Sequence, residues 1–346
     1  MRRVEGTPRR AEAEAVAAAA RAGDESAFAV LVERYRPELQ VHCYRMLGSY
    51  EDAEDMVQEA FLRAWRKRGS FQGRSSFRAW LYRIATNACL DALERRPPRV
   101  LPLQVAPAAD PRKPSLPTAD LPWLQPYPDR LLEGIAPSEA EPDAALVAKE
   151  TIELAFLVAI QQLTPRQRAV LILRDVLAWP AKETAVLLDA SVDSVHSTLR
   201  RARSTLKRHL PARRLEWAPG SDPTQQERSL LRRYMDAHDR ADVAALAALL
   251  QADARLTMPP TPTWYDGHEA VVAFHARHFM AGVEWRFLVT RANRQPAVAV
   301  YTRRPGESAY RPLGIDVLRI EAGLVAQIDA FLLPRLFPAF GLPPAM

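Results

Sequence analysis

A chain of 346 residues is longer than one average domain, and with 48% hydrophobic residues it has apolar material for two or three separate cores. Its two cysteines, Cys43 and Cys89, lack any paired spacing, which excludes a disulfide scaffold and a zinc ribbon and suits a reducing compartment. The net charge of +6 points to an acidic partner, yet the surplus is local: residues 147–214 carry 12 basic and 6 acidic side chains, while residues 215–346 carry 14 of each.

From Ala11 to Arg96 the apolar spacing is helical, with Phe28, Leu31, Val32 and Tyr35 on one stripe and Ala53, Met56, Val57, Ala60, Phe61, Ala64 and Trp65 on another. A helical bundle is predicted. Within it the run DAEDMVQEAFLRAW (52–65) is acidic, which is unexpected in a basic chain. The next segment, SFQGRSSFRAWLYRIATNACLDALERR (70–96), joins a Gly- and Ser-containing loop to a helix mixing Phe77, Trp80 and Tyr82 with Arg78, Arg83, Asn87 and Arg95. Aromatic faces stack on unpaired bases, cations hold phosphates and an amide reads base edges, so this mixture suits single-stranded nucleic acid; Trp80 and Leu81 equally suit a helix core.

Between Pro97 and Leu146 twelve of fifty residues are proline, which breaks helices and donates no backbone hydrogen bond, so an extended linker is expected. WLQPYPDRLLEGI (123–135) places aromatic and aliphatic groups in that linker, and these are expected to dock on the protein itself or on a partner. Helical periodicity returns from Val147 to Leu210. Thr164 and Pro165 form a helix start, an N-cap hydroxyl followed by a residue with preset φ. A short helix from Ala181 to Leu188, a turn at Asp189 to Ser191 and a basic helix from Val192 to His209 give the helix-turn-helix layout.

After Pro219 a helix is predicted from Gln225 to Leu250, a strand at Arg255 to Met258 and a helix from Gly267 to Phe279. Four alternating runs follow, VEWRFLVTRA, PAVAVYT, PLGIDVLRI and LVAQIDAFLL, with a hairpin at Glu321-Ala322-Gly323. An antiparallel meander curled over a helix, an α+β domain, is the expected result. The chain has no secretory leader and no run of eighteen apolar residues, so a soluble, cytoplasmic protein without a membrane partner is expected. It has no Walker-type glycine loop, and neither a cofactor nor a metal is called for.

Four motifs in order, DAEDMVQEAFLRAW, F-x-G-x-S-S-F-x-x-W-L-Y-R-I-A-x-N, L-T-P-R-Q-R-A-V-x-x-L-R-D-V and the helix-turn-helix, make residues 20–96 and 147–210 resemble the extracytoplasmic-function (ECF) sigma factors. The resemblance implies a multidomain protein. An all-α region 2 spans residues 11–96, a Pro-rich linker 97–146 and an all-α region 4 spans 147–214. Residues 220–346 resemble an NTF2-type, SnoaL-like cone. It also implies an alternative sigma factor, not an enzyme, that binds core RNA polymerase through the β′ coiled coil and β flap and directs it to promoter DNA.

By position, Asp55, Gln58 and Glu59, with Asp52 and Arg63 nearby, would contact the polymerase, which explains the acidic helix. Ser75, Phe77, Trp80, Arg83 and Asn87 would take the flipped bases of the -10 element. His196, Ser197, Arg200 and Arg201 would face the -35 major groove, with Arg203, Lys207 and Arg208 on phosphates; His196 stands where the family commonly has Arg or Asn.

Trp264, Tyr265, His275, Phe279, Trp285 and Asp316 are candidates for the lining of a cone pocket holding an unidentified small molecule. His275 and Asp316 could be read as an acid–base pair, but a single helical histidine is more often structural, and fold does not establish chemistry. The favoured expectation is regulation of the sigma regions by contacts among cone, linker and helices. The alternatives are a cyclase- or isomerase-type enzyme tethered to DNA and a helix-turn-helix repressor, the last of which leaves residues 50–96 unexplained.

Overall fold

The computed structural model describes residues 7–71, 76–95, 97–132, 152–209, 224–279 and 282–346. They form two compact units. The first holds residues 1–97, 134–151 and 159–210; the second holds 98–133, 152–158 and 211–346.

In the first unit, helices α1 (Thr7–Ala22), α2 (Glu25–Leu47), α3 (Tyr50–Arg66) and α4 (Phe77–Leu93) make the bundle. Their ends are set by local chemistry. Asp24 accepts a hydrogen bond from Ala27 N at 3.0 Å to start α2, and Gly48 ends it in the left-handed region at φ 69°. Ser49 then caps α3 through Asp52 N, and Ser76 caps α4 through Ala79 N. The predicted stripe of α3 faces inward, with Ala53, Val57, Ala60, Phe61 and Ala64 buried. Full burial of the Val57 or Phe61 side chain stabilises by about 1.5–3 kcal/mol. His42 is fully buried and paired with Thr86 Oγ1 at 2.9 Å; burial, then the nearby Arg45 and Arg78 charges, hold its pKa at about 3, so it is neutral.

The second half of this unit follows α5 (Leu154–Ile160), which carries the chain back from the second unit. Helix α6 (Pro165–Leu171) has the predicted start, completed by a reciprocal pair of Thr164 and Gln167 hydrogen bonds, and runs on as a π-type turn over Ile172–Val176. The helix-turn-helix comprises α7 (Ala181–Leu187) and α8 (Val192–His209), with Asp189 at φ 50° in the turn and Ser191 Oγ accepting from Ser194 N. Arg168, 2% exposed, binds this half to the bundle: its guanidinium donates to Met46 O, to Gln161 Oε1 at 2.9 Å and to the carbonyls of Gln161 and Leu163. Trp179 adds a ring contact to Tyr82, with centroids 5.2 Å apart.

The second unit has α9 (Gln225–Asp239), α10 (Val243–Ala247) and α11 (His268–Phe279) with a six-stranded sheet. The strands are β1 (Leu250–Thr257), β2 (Trp264–Asp266), β3 (Glu284–Ala292), β4 (Gln295–Arg303), β5 (Arg311–Glu321) and β6 (Leu324–Phe331) in the order β2-β1-β6-β5-β4-β3. The predicted meander is β3 to β6. Two expectations need correction. The single helix predicted from Gln225 to Leu250 is two, because Ala241 turns to φ 50° and Asp242 starts a new helix by accepting from Ala245 N at 2.9 Å. The sheet is mixed, since β1 lies parallel to β6. At Gly314 of β5 an added Cβ would stand 2.5 Å from Phe331 O, so only glycine permits that approach.

The linker is built into this unit. Trp123, Leu124 and Tyr127 are buried; Leu116 N donates to Thr263 Oγ1, and Arg130 reaches the carbonyls of Ala339 and Pro338. Asn293, wholly buried in the β3–β4 turn at φ 57°, accepts from Tyr127 N at 2.8 Å and donates to Ile152 O at 2.6 Å. Asp129 accepts from Arg294 N at 2.8 Å and pairs with Arg291. The docking anticipated for WLQPYPDRLLEGI is therefore on the cone; Glu133 to Ile135 lie outside the described residues. The apolar tail also docks, with Phe337 against Tyr301 at 5.1 Å and Tyr301 Oη donating to Pro343 O.

Candidate functional site

On α3 the outward face presents Asp55 and Gln58 to solvent together with Leu62, an apolar side chain 51% exposed, spaced three, four and seven residues apart. Asp52 is half-buried in the first turn. Glu59 is tied to Arg63 at 2.6 Å, and Arg63 reaches across to Asp91 of α4 at 2.7 Å; these hydrogen bonds raise the Arg63 pKa. Asp55 and Gln58 thus stand clear for a partner, whereas Glu59 and Arg63 also serve to hold α3 against α4.

Ser75 lies outside the described residues. Phe77 and Trp80, both half-buried, form a cluster with Phe71 in which ring centroids lie 5.3–5.4 Å apart. Arg83 and Asn87 project into solvent three and seven residues beyond Trp80, on the same side of α4. Two residues read as nucleic-acid equipment are engaged within the bundle instead. Tyr82 is 1% exposed and donates to Glu38 at 3.1 Å, with burial driving its pKa upward, and Arg78 is locked onto the same carboxylate at 2.7 Å. Phe71 was not among the candidate site residues, although it opens the F-x-G-x-S-S-F motif and so carried a signal in the sequence.

On α8, His196, Arg200, Arg201 and Lys207 are exposed, while Val195, Leu199 and Ala202 face the core. Ser197 is half-buried and returns its hydroxyl to Ser194 O at 3.0 Å. Arg203 makes a two-pronged pair with Asp175 at 2.7 and 2.9 Å, so its fork is already occupied.

The cone contains a cavity of about 70 Å³ lined by His275, Phe279, Trp285 and Asp316, as anticipated. Trp264 and Tyr265 do not line it. Trp264 donates its Nε1 to Ala106 O of the linker at 2.8 Å, and Tyr265, 1% exposed, stacks on Phe274. They lie on β2 at the sheet's edge, where alternation directs the one to the linker and the other to the core. Sequence reading missed Tyr234, His238, Phe274, His278 and Phe287 in the lining; Tyr234 and His238, one helical turn apart, were the available signal.

Tyr234 donates to Asp316 Oδ2 at 2.9 Å. Burial raises the Asp316 pKa to about 7 against the lowering effect of that bond. Burial likewise lowers His238 to about 3 and His275 to about 4, so both rings are neutral. No group of His, Cys, Asp and Glu among the described residues could hold a metal, and no described helix is long and apolar enough to cross a membrane.

The acidic helix, the exposed basic helix and the cone occur in the order in which three family models match: Sigma-70 region 2 over residues 31–97, Sigma-70 region 4 over 153–206 and a SnoaL-like domain over 231–328. The ECF RNA polymerase sigma factor SigG of Mycobacterium tuberculosis is 42% identical over 322 residues, 92% of this chain and 85% of that protein. This chain belongs to the ECF sigma factors. It is an alternative sigma factor directing transcription from promoters. The Bacillus subtilis sigma factor SigW is 31% identical over 189 residues, covering 54% of this chain and 91% of its own length. The crystal structure of M. tuberculosis SigJ shares the fold, with a TM-score of 0.54 and 24% identity over 90% of this chain and 98% of that one.

Proposed function

We propose that this sigma factor engages core RNA polymerase through the outward face of α3, melts the -10 element on α4 and reads the -35 element with α8, under control of the fused cone. The observation that carries the polymerase assignment is the exposed set Asp55, Gln58 and Leu62: a carboxylate and an amide beside an apolar side chain that nothing in the bundle covers. Opposite charges on a basic partner speed and orient docking, while the apolar residue supplies the buried centre. Trp80, Arg83 and Asn87 form a stacking surface, a cation and an amide on one side of α4. A few kcal/mol per extruded base is a cost that stacking and phosphate contacts offset. His196, Arg200 and Arg201 project from α8, with no partner on either arginine among the described residues, leaving both forks for base edges.

Geometry adds a requirement. The two promoter elements are about 25 base pairs apart, roughly 85 Å along B-DNA at 3.4 Å per pair. In the first unit Arg168 of α6 is bound to Met46 of α2, Trp179 packs on Tyr82 of α4, and α8 packs on both α6 and α7, so the two reading surfaces belong to one compact unit. The bundle and the helix-turn-helix must therefore part to engage both elements, and an account of regulation centres on what holds them closed.

The test is co-purification of the full chain with core polymerase, followed by run-off transcription. Asp55→Lys and Leu62→Asp are each expected to abolish association while leaving the helical circular dichroism unchanged. Association at the level of the unmodified chain in both variants overturns the assignment of α3.

A further inference from the structure

The first turn of α8 carries a side chain that neither helix packing nor phosphate contact employs. In a helix-turn-helix the N-terminal residues of the second helix are the ones that reach base edges. Here that turn holds Asp193, the one acidic residue in VDSVHSTLRRARSTLKRH, a helix that also carries Arg200, Arg201, Arg203, Lys207 and Arg208. Asp193 lies four residues before Ser197 and seven before Arg200, so it shares their side of the helix, away from the buried Val195, Leu199 and Ala202. A carboxylate in that place works against DNA binding in general, because every phosphate that the arginines attract repels it.

The fold gives Asp193 no internal task. Capping of the helix belongs to Ser191, whose Oγ accepts from Ser194 N at 3.1 Å. His196 and Ser197 occupy the positions three and four residues on, so no Lys or Arg stands where an intrahelical ion pair would form. Asp193 is exposed and makes no hydrogen bond or ion pair among the described residues. We propose that Asp193 is a specificity residue for the -35 element, its carboxylate accepting a hydrogen bond from the N4 amino group of a cytosine. This rests on α8 lying in the -35 major groove.

The choice of base follows from the chemistry of the groove. An ionised carboxylate only accepts hydrogen bonds. Guanine N7 and O6, thymine O4 and adenine N7 are acceptors as well and repel it, so only the amino groups of cytosine and adenine remain. Adenine sets its N7 acceptor beside that amino group, an edge suited to an amide that donates and accepts at once, whereas cytosine offers the donor alone. The same charge penalises the alternatives: over thymine, guanine or a phosphate the carboxylate meets an acceptor or a like charge and lowers affinity there. The forks of Arg200 and Arg201 suit guanine, so the element is expected to hold a cytosine near a guanine. Seven residues at a rise of 1.5 Å separate Asp193 from Arg200 by about 10 Å along the helix, or about three base pairs at 3.4 Å each.

The experiment assembles the full chain with core RNA polymerase, selects fragments from a promoter library randomised across the -35 element and sequences those bound. The unmodified chain is expected to enrich a cytosine within about three base pairs of a guanine whose enrichment disappears in Arg200→Ala or Arg201→Ala. Asp193→Asn turns an acceptor-only group into one that donates and accepts, and should replace that cytosine by adenine while leaving the other positions as they were. Asp193→Ala should make the position indifferent and raise binding to fragments of random sequence. At a fixed cognate site, exchanging the cytosine for thymine should weaken the unmodified chain by about fivefold or more and the Asp193→Ala chain far less. A carboxylate acting only on the helix dipole would on replacement weaken all sequences alike and shift no base preference. The absence of a cytosine preference in the unmodified chain, or the same cytosine in the unmodified, Asp193→Asn and Asp193→Ala chains, overturns the proposal. The arginine variants keep the two questions apart. An element unchanged in both Arg200→Ala and Arg201→Ala withdraws α8 from the groove and the proposal with it, whereas a guanine lost in those variants beside a cytosine indifferent to Asp193 refutes the role of Asp193 alone.

Discussion

Replacing Asn293 by alanine tests how far one buried amide contributes to fastening the linker to the cone. The side chain holds two backbone groups at once, Tyr127 N–H at 2.8 Å and Ile152 C=O at 2.6 Å, and it is wholly buried. Truncation leaves both without a partner in a site closed to water, at about 1–3 kcal/mol each. The residue also sits at φ 57°, where asparagine is tolerated and alanine costs about 1 kcal/mol more. The sum is roughly 3 to 7 kcal/mol. With a urea m-value of about 2 kcal/mol per M, the unfolding midpoint of the linker-bearing cone should fall by more than about 1 M. Amide exchange at Tyr127 should accelerate. Asn293→Gly separates the contributions: it removes the backbone strain and keeps the loss of both hydrogen bonds, so it should recover only about 1 kcal/mol. An unchanged midpoint together with unchanged protection of the Tyr127 amide would refute the reasoning.

Acid should destabilise the cone through its buried histidines. His238 is held near pKa 3 when folded and takes a proton near 6.5 when unfolded, so its contribution is complete above pH 6.5 and is lost as pH falls from there toward 3. His238→Phe should therefore reduce the slope of stability against pH in that window by one proton, about 1.4 kcal/mol per unit, measured by urea titrations at pH 6.5 and 4.5; an unchanged slope contradicts neutral burial. On α8, Arg200→Ala or Arg201→Ala should cost about 1–3 kcal/mol at a cognate -35 sequence in fluorescence anisotropy. Arg203→Ala, whose fork is taken by Asp175, should weaken binding to all sequences alike. Trp179→Ala removes the ring contact to Tyr82 and should speed association with core polymerase in stopped-flow mixing, if parting of bundle and helix-turn-helix limits that step; a rate at or below that of the unmodified chain argues against this.

The sequence by itself determined the elements whose causes are local. The caps at Thr164, the turn at Asp189, the inward stripe of α3 and the alternation of β3 to β6 each depend on residues within one or two turns of one another, so periodicity and capping chemistry suffice to read them. The order of the four motifs likewise made the sigma-factor family legible before any coordinates. Tertiary structure alone decided which charged and aromatic side chains remain free to act. Arg78, Arg203 and Tyr82 look like nucleic-acid ligands in the chain, yet Glu38, Asp175 and the bundle core claim them across 40, 28 and 44 residues. Trp264 turns to the linker, β1 pairs with β6, and three histidines from two helices line one cavity. The physical reason is the same throughout: hydrogen bonds and burial join positions far apart in the chain, and a residue's availability depends on the partner that folding brings to it.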